Sequence, residues 1–301
     1  MLRTRRRRRL WRFRPQRLQT SEEEQQHLLW FVFIFRFGFS LPVSIRFKSL
    51  GSGSAGNATL VEAREGLRTS HLLIDCGMSQ RKLTLRLQQA GVEPEQIDAL
   101  FITHEHSDHI GCGVAFAQRH GIPLWMSRGT HVGIGQPELG ELLHMARDGS
   151  PLCVGALECT PFTVPHDARE PLQLRCTDGD RLLGIVTDLG HASAHVVEML
   201  QGCDALLIEA NHDPDLRGAS RYPPFLKARV AGDFGHLSNA ASAGLARLLQ
   251  HARLGQVLAG HLSERNNRPD LASAALAEAL GRTVDDIMLA DAAHGSDWLS
   301  V

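Results

Sequence analysis

The sequence predicts an α/β protein over residues 44–301. Short apolar runs with the alternation of β-strands are interleaved with segments of helical period along this whole range. No internal repeat and no low-complexity linker divides it, and its length allows one large domain or two small ones. A chain of this size buries enough apolar surface to fold without disulfide bonds.

The predicted elements follow one another in the order that an α/β fold requires. Residues 44–50 alternate like a strand and lead into the loop 51–56, whose glycines suit a tight turn better than a phosphate cradle. A helix is predicted over 79–90, because Leu83 and Leu87 share one of its faces. The other clear elements are strands at 57–62, 71–74, 98–103, 205–209 and 256–260 and helices at 238–250 and 270–280.

The formal net charge of −1 is the sum of two very different parts. Residues 1–43 hold ten of the 32 basic residues and three of the 33 acidic ones, so they carry about +7 and the remainder about −8. The acidic remainder argues against broad electrostatic binding of nucleic acid, although a local site stays open. The six cysteines form no C-x-x-C pair, and residues 44–301 hold no apolar run of membrane-spanning length. Both features favour a cytoplasmic protein with reduced thiols.

Residues 1–43 fit no targeting class well. Five consecutive arginines stand at 5–9, while the apolar stretch 28–41 is interrupted by Arg36 and is short for a bilayer. The cleavage site of a secretory signal is missing. Three interpretations remain: an export or membrane anchor, a basic arm that binds nucleic acid, and upstream sequence translated from a start codon assigned too early. We favour the third and predict a disordered extension or a mis-assigned start.

A histidine cluster points to bound metal. Fifteen of the sixteen histidines lie in residues 44–301, and the segment T-H-E-H-S-D-H at 103–109 directly follows an apolar strand. It places four ligand-type side chains within six residues: His104, His106, Asp108 and His109. Zinc accepts imidazole nitrogen and carboxylate oxygen, and a loop at a strand end can aim the first pair at one ion and the second pair at another. A solvated polar loop explains this density of ligand types less well.

From these residues onward the sequence resembles the metallo-β-lactamase superfamily, over essentially all of residues 44–301. Its further motifs follow in order: Asp75 in L-I-D-C-G, His166 in T-V-P-H-D, Asp188 in I-V-T-D-L-G and His261 in L-A-G-H-L-S. The resemblance implies a four-layer αββα sandwich with two metal ions at one edge of the sheets, and a catalytic domain over 44–301. It implies a first metal site of His104, His106 and His166. The second site would be Asp108, His109 and His261. Asp188 would bridge the two metals together with a water or hydroxide, and Asp75 would support the ligand loop without binding metal.

The bridging aspartate narrows the chemistry. The β-lactamases of this superfamily lack it, so Asp188 argues against lactam hydrolysis and leaves thioesterases, lactonases and phosphodiesterases or nucleases. The segments L-L-I-E-A-N-H at Glu209 and G-H-L-S-N-A at His236 resemble the proton-handling motifs of ribonuclease Z-type enzymes. The resemblance implies that Glu209 orients and charges His236, which protonates the departing alkoxide. The catalytic residues it implies are thus Asp108, Glu209 and His236.

The WalJ/YycJ-type nuclease branch is the most similar group on these motifs. It implies a DNA exonuclease that uses two divalent ions, zinc or manganese. Our own hypothesis is that the substrate is a single-stranded or terminal nucleic acid. The short interval between His212 and His236 leaves no room for the long arm with which ribonuclease Z holds tRNA, so tRNA processing is disfavoured. His191 departs from the branch pattern and would add a donor near Asp188.

Substrate contacts are less defined than metal ligands. Arg265 and Asn267, just past His261, are the predicted substrate residues. The basic and aromatic stretch 213–234 is either a lid that contacts phosphates or an ordinary solvated loop. Two other functions stay open: a small-molecule hydrolase acting on a cyclic phosphodiester, thioester or lactone, and a metal-containing binding protein with little catalysis. The native metal and the oligomeric state are open as well.

Overall fold

The computed structural model describes residues 44–301, so the predictions made for residues 1–43 lie outside the described residues. Strands and helices alternate along the described chain, which confirms the predicted α/β class. The strands are β1 (Ser44–Gly51), β2 (Ala58–Glu65), β3 (Arg68–Ile74), β4 (Ala99–Ile102), β5 (Leu124–Met126), β6 (Leu143–Met145), β7 (Leu152–Val154), β8 (Leu157–Thr163), β9 (Leu172–Thr177), β10 (Leu182–Val186), β11 (Ala205–Glu209), β12 (Val257–Gly260), β13 (Ile287–Leu289) and β14 (Leu299–Ser300). The α-helices are α1 (Gln80–Gln89), α2 (Ser107–Ile110), α3 (Gly113–His120), α4 (Arg128–Gly133), α5 (Ala194–Leu200), α6 (Pro214–Ala219), α7 (Pro224–Val230), α8 (Asn239–Leu249) and α9 (Pro269–Leu280).

These strands build two mixed sheets of seven strands each within residues 44–301. The first has the order β14-β1-β2-β3-β4-β5-β6 and the second the order β13-β12-β11-β10-β9-β8-β7. In the first sheet, pairing changes from antiparallel to parallel at β3, and in the second it changes at β10. Parallel strands joined by helices carry their carboxyl ends to the same edge of a sheet, which is where ligand sites form in such folds.

Burial of both faces of the sheets explains the layered arrangement. Side chains alternate along each strand, so Phe101 of β4 enters the core between the two sheets while Leu100 enters a core under helices. The outer face of the first sheet is covered by α1 and α3, and that of the second by α5, α8 and α9. The result is the four-layer αββα sandwich that the sequence resemblance implied.

Helix starts agree with local sequence. Ser79, Ser193 and Ser238 each cap a helix by accepting a hydrogen bond from the backbone N–H three residues on, which satisfies one of the free donors at a helix start. The predicted helix 79–90 is therefore α1 with its N-cap included. The strands between residues 143 and 186 had no individual prediction.

No helix in the described range 44–301 combines the length and the apolar character needed to cross a membrane.

The two leucines of α1 give a direct test of this packing. Leu87 is fully buried under the first sheet and Leu85 on the same helix is 51% exposed. We expect Leu87→Ala to lower the free energy of unfolding by about 2–5 kcal/mol, because it leaves a cavity. Leu85→Ala, the same change on the solvent side, should stay within about 0.5 kcal/mol of the wild type. Urea unfolding followed by circular dichroism measures both, and equal effects would contradict the assigned face of α1.

Candidate metal centre

The predicted site residues lie where strands of both sheets end at one edge of the sandwich. In the first sheet, Asp75 directly follows β3 and the histidine-rich segment directly follows β4. In the second sheet, His166 comes shortly after β8 and Asp188 stands two residues after β10. Glu209 is the last residue of β11, and His261 directly follows β12. β3 and β4 are parallel, and so are β10, β11 and β12, so these ends lie side by side. The topology therefore gathers groups that are far apart in the sequence.

Three of these residues have a left-handed backbone that only glycine adopts easily. Their φ angles are 62° at Asp75, 57° at Asp188 and 55° at His261. Such a conformation costs a non-glycine residue about 1 kcal/mol or more. It turns the chain sharply where a strand ends, and it persists because the surrounding contacts hold these side chains in place.

Three imidazoles form the first ligand group. Nε2 of His104 lies 3.0 Å from Nδ1 of His106, and Nε2 of His166 lies 3.2 Å from that same nitrogen. Nδ1 of His166 donates to the carbonyl of Gly235 at 3.1 Å, which leaves its Nε2 free to bind. The three facing nitrogens can hold one metal ion, in the combination that the resemblance implied.

A second group lies beside the first, with Asp188 between them. Nε2 of His109 and Nε2 of His261 lie 3.8 and 3.7 Å from Oδ2 of Asp108. Asp188 places Oδ2 3.2 Å from Nε2 of His109 and Oδ1 3.4 Å from Nδ1 of His261. Asp188 also groups with His104 within ligand distance, so its carboxylate lies between the two ligand groups.

Two buried atoms test whether these residues suit cations. Oδ2 of Asp188 and Nε2 of His261 have no hydrogen-bond partner among residues 44–301. Leaving such a group unsatisfied in the interior costs about 1–3 kcal/mol or more. A divalent cation at each ligand group would satisfy both atoms. The donor set therefore fits two divalent metal ions.

The charges of the site depend on this clustering. Burial by itself would raise the pKa of Asp188, but His109 and His261 outweigh burial and hold that pKa well below its ordinary value. Burial would lower the pKa of His261, yet the carboxylates, Asp188 first, raise it to about 10. Without cations, protonated imidazoles balance the buried carboxylates. Cations would take over that balance and displace the protons.

Asp75 lies behind the ligands and does not face the cleft. Its Oδ2 accepts a hydrogen bond from Nδ1 of His109 at 2.7 Å, and its Oδ1 accepts one from the backbone N–H of Thr103 at 2.8 Å. The hydroxyl of Thr103 lies 3.0 Å from Nδ1 of His104. Asp75 and Thr103 thus fix the orientation of two ligand rings, which is the supporting position expected of Asp75.

Several polar residues that hold the ligand loops were not predicted. The amide of Asn57 lies 3.1 Å from Nε2 of His109 and donates to the carbonyl of Asp108 at 3.2 Å. The hydroxyl of Ser52 accepts from the backbone N–H of His261 at 2.7 Å, and Asn211 donates to the carbonyl of His261 at 2.9 Å. Ser52 lies in the glycine-rich loop 51–56 and Asn57 directly follows it, so this part of the chain positions ligands. The only feature of the sequence that pointed to this role was the presence of polar residues in a loop between two strands.

Gly77 is a close-approach position between two loops of the site. A Cβ atom at this residue would overlap the backbone carbonyl of Asp108. The backbone N–H of Gly77 donates to the carbonyl of Asn57 at 2.9 Å, and Asn57 N–H donates to the carbonyl of Asp108 at 2.8 Å. The loop after β3, the glycine-rich loop and the ligand segment are therefore packed backbone against backbone.

Glu209 and His236 form the pair that the resemblance implied. Oε1 of the fully buried Glu209 accepts from Nδ1 of His236 at 2.8 Å and lies 2.9 Å from Nδ1 of His261. Its Oε2 accepts from the backbone N–H of Leu237 at 3.0 Å. Burial would raise the pKa of Glu209, but His236 and then His261 lower it to about 2, so the carboxylate is charged. The contact with His261 was not predicted and links the proton-handling pair to a ligand.

The site opens into a cleft of about 380 Å³. Its lining is mostly polar and comes from the ligand loops and from the segment between His212 and His236: Ser54, His106, Ser107, Asp108, Asp167, Asp188, Asn211, Tyr222, Leu226, Arg229, Val230, Gly235, His236, His261, Ser263 and Asn266. Arg229 bonds Asp167 through Nε. The segment 213–234, left open as lid or loop, thus supplies one wall of the cleft.

The two predicted substrate residues have different surroundings. Arg265 is exposed, with its guanidinium 5.9 Å from the centre of the Tyr222 ring at the cleft. Asn267 is buried, and its amide donates to the carbonyl of Ala210 and to Asn239, so its hydrogen bonds go into the fold. His191 is exposed and its Nδ1 donates to the carbonyl of Asp233 at 2.9 Å, so this donor bonds the segment before His236.

Comparison with known proteins agrees with this geometry. Residues 51–207 match the family described as the metallo-beta-lactamase superfamily. The chain is 35% identical over 237 residues to exodeoxyribonuclease WalJ of Streptococcus pneumoniae, covering 76% of this chain and 86% of that protein. It is 30% identical over 244 residues to exodeoxyribonuclease YycJ of Bacillus anthracis, covering 79% and 90%. Among solved structures, the metallo-beta-lactamase fold protein YhfI from Bacillus subtilis superposes with a TM-score of 0.65 at 18% identity, covering 86% of this chain and all of that one.

Metal content tests the position of Asp188. We expect the purified chain to hold two divalent ions and Asp188→Asn to retain fewer than two, because the amide supplies neither the charge nor both ligand oxygens. Elemental analysis after dialysis measures this. The control is Asp180→Asn, since the side chain of Asp180 is 78% exposed in a turn. Two tightly held ions in Asp188→Asn would show that Asp188 is not a bridge.

The contact at Gly77 makes a separate prediction about stability. Gly77→Ala should lower the free energy of unfolding by about 2 kcal/mol or more, because backbone must move to admit the methyl group. Gly244→Ala is the matched control, since Gly244 lies in α8 with open space around it. That change should raise the free energy of unfolding by about 0.5–1 kcal/mol. Urea titrations decide it, and a neutral Gly77→Ala would contradict the close approach.

Proposed function

The chain belongs to the metallo-β-lactamase superfamily, and we propose that it is a two-metal phosphodiesterase that acts as an exonuclease on DNA ends. One observation carries this proposal: His236, which Glu209 holds from behind, lines the same cleft as residues of both ligand groups, among them His106, Asp108 and His261. A lactam, thioester or lactone hydrolase has no need of that pair. The similarity to proteins named exodeoxyribonucleases supports the same substrate class.

The residues that would hold the metals are the seven of the two groups and their bridge. When bound, two divalent cations would lower the pKa of a coordinated water and offset negative charge on the phosphodiester oxygens. Imidazole nitrogens with two carboxylates suit both zinc and manganese, and we propose one of these as the native metal. Thr103 and Asp75 hold the ligand rings of His104 and His109 in the orientation this requires.

His236 is the proton donor in this proposal. Because its Nδ1 is bonded to Glu209, its Nε2 is the nitrogen that can exchange a proton with a substrate in the cleft. A sugar alkoxide is a poor leaving group, and a donor at this position protonates it as the bond to phosphorus breaks. Glu209 orients the ring and also contacts His261, so one oxygen aligns the donor with a metal ligand.

A substrate panel tests the proposed function itself. We expect the chain to hydrolyse a labelled single-stranded oligonucleotide and bis(p-nitrophenyl) phosphate in the presence of zinc or manganese. A thioester and a lactone in the same panel represent the competing small-molecule hydrolase. Hydrolysis of either one without any cleavage of phosphodiester bonds would contradict the proposal. A cytoplasmic location, which we also propose, is supported by six cysteines that are all free thiols.

The leaving group gives a sharper test of His236. We expect His236→Ala to lower kcat on an oligonucleotide by about 100-fold or more, because the alkoxide departs unprotonated. On bis(p-nitrophenyl) phosphate the loss should be much smaller, since p-nitrophenolate leaves without a proton donor. The metal content should stay at two ions per chain.

His120→Ala is the control, because His120 lies on α3 and outside the cleft. Equal losses on the two substrates would assign His236 a role in structure or metal binding and remove it as the proton donor.

A further inference from the structure

We propose that an aromatic rim beside the cleft stacks unpaired bases, so that the enzyme takes DNA ends as single strands. The aromatic rim consists of Tyr222, Phe225 and Phe234, with Arg229 and Arg265 beside them. This inference rests on the proposed function and adds to it the form of DNA that the cleft accepts.

Phe225 stands at the edge of the cleft by its place in α7. Leu226, Arg229 and Val230 of this helix line the cleft. Phe225 is four residues before Arg229, and residues four apart lie on the same face of a helix. Phe225 therefore flanks the lining face on the side of Arg229, and it is 73% exposed.

Phe234 is fixed next to the metal ligands. Its carbonyl accepts a hydrogen bond from the backbone N–H of Asp167 at 3.0 Å, and the next carbonyl, that of Gly235, accepts from His166. The backbone is thereby tied to the first ligand group, while the phenyl ring is 59% exposed. Phe234 precedes His236 by two residues, so a base stacked on its ring would lie close to the proposed proton donor.

Folding gives no reason for these rings to face solvent. Eight large hydrophobic residues are exposed in the described chain, and Phe225 and Phe234 are the two aromatic ones among them. Both lie on the segment between His212 and His236 that walls the cleft. An exposed apolar patch that borders a polar site is typical of a surface that binds a ligand.

The charges beside the rim suit a nucleic-acid backbone. Arg265 stands over Tyr222, and Arg229 lines the cleft where it bonds Asp167. Residues 44–301 are acidic as a whole. Asp167 offsets the charge of Arg229, so Arg265, which forms no salt bridge within residues 44–301, supplies the local positive charge beside the rim. Alternating rings and guanidinium groups hold single strands in many nucleic-acid-binding proteins, since bases stack on the rings and phosphates contact the cations.

Stacking on such a rim selects unpaired bases. Every base has an aromatic face, so the contact tolerates any sequence, but within a duplex those faces are already covered by neighbouring bases. A blunt duplex end would have to fray before its terminal bases reached Phe225 and Phe234. The rim thus favours single strands and overhangs over blunt ends.

The test removes both phenyl rings and measures binding as well as turnover. We expect Phe225→Ala/Phe234→Ala to raise the Kd for a fluorescent ten-nucleotide single strand by about tenfold or more, using phosphorothioate linkages that resist hydrolysis. The ratio of activity on an oligonucleotide to activity on bis(p-nitrophenyl) phosphate should fall by a similar factor. The double change to Trp should retain both values, because indole stacks as well as phenyl.

Leu85→Ala/Leu248→Ala is the matched control, since both leucines are exposed apolar side chains outside the cleft. A Kd within twofold of wild type in the rim variant would overturn the proposal. If the Kd is unchanged and the oligomeric state of the variant differs from that of the wild type, the rim is an interface between copies of the chain and the proposal is overturned. If wild-type protein cleaves no oligonucleotide, the proposed function fails, while the phosphorothioate measurement still decides whether the rim binds single strands.

Discussion

The burial of Asp188 between two imidazoles is the constraint on which the site depends. This carboxylate is shielded from water, and one of its oxygens has no hydrogen-bond partner among residues 44–301. An isolated charge in such a place is strongly unfavourable unless positive charge is supplied nearby. His109 and His261 supply it in the protein alone, and metal ions would supply it more completely. The left-handed backbone at Asp188 is tolerated because it keeps the carboxylate next to His109 and His261. Another backbone conformation would break these contacts.

The same requirement explains the arrangement behind the ligands. Asp75 and Thr103 occupy the far sides of the rings of His109 and His104, so each of these rings offers its Nε2 to the site. Glu209 contacts Nδ1 of both His261 and His236, so it orients these two rings together. The site is therefore a set of oriented rings on two sheets, and its chemistry follows from which nitrogen each ring presents.

The sequence was sufficient to predict the elements with a clear local pattern and the residues that belong to a motif. The α/β class, the strand ends and the segment H-x-H-x-D-H could be inferred from period and ligand type, and the fold class is confirmed. The roles of Ser52 and Asn57 could not be inferred, because each acts on a residue that only the fold brings near. Asn267 shows the reverse case, since motif position suggested a substrate contact and the fold turns its amide inward. The ligand and catalytic roles remain predictions for the experiments described.

Because the ligands come from both sheets, bound metal would affect the stability of the folded chain. The segment after β4 belongs to the first sheet, while His166, Asp188 and His261 extend from the second. Bound ions would act as a reversible cross-link between the two halves of the sandwich, much as a disulfide joins distant parts of a secreted protein. Loss of the metals would remove this link and lower the free energy of unfolding, while the apolar core between the two sheets would still hold the halves together.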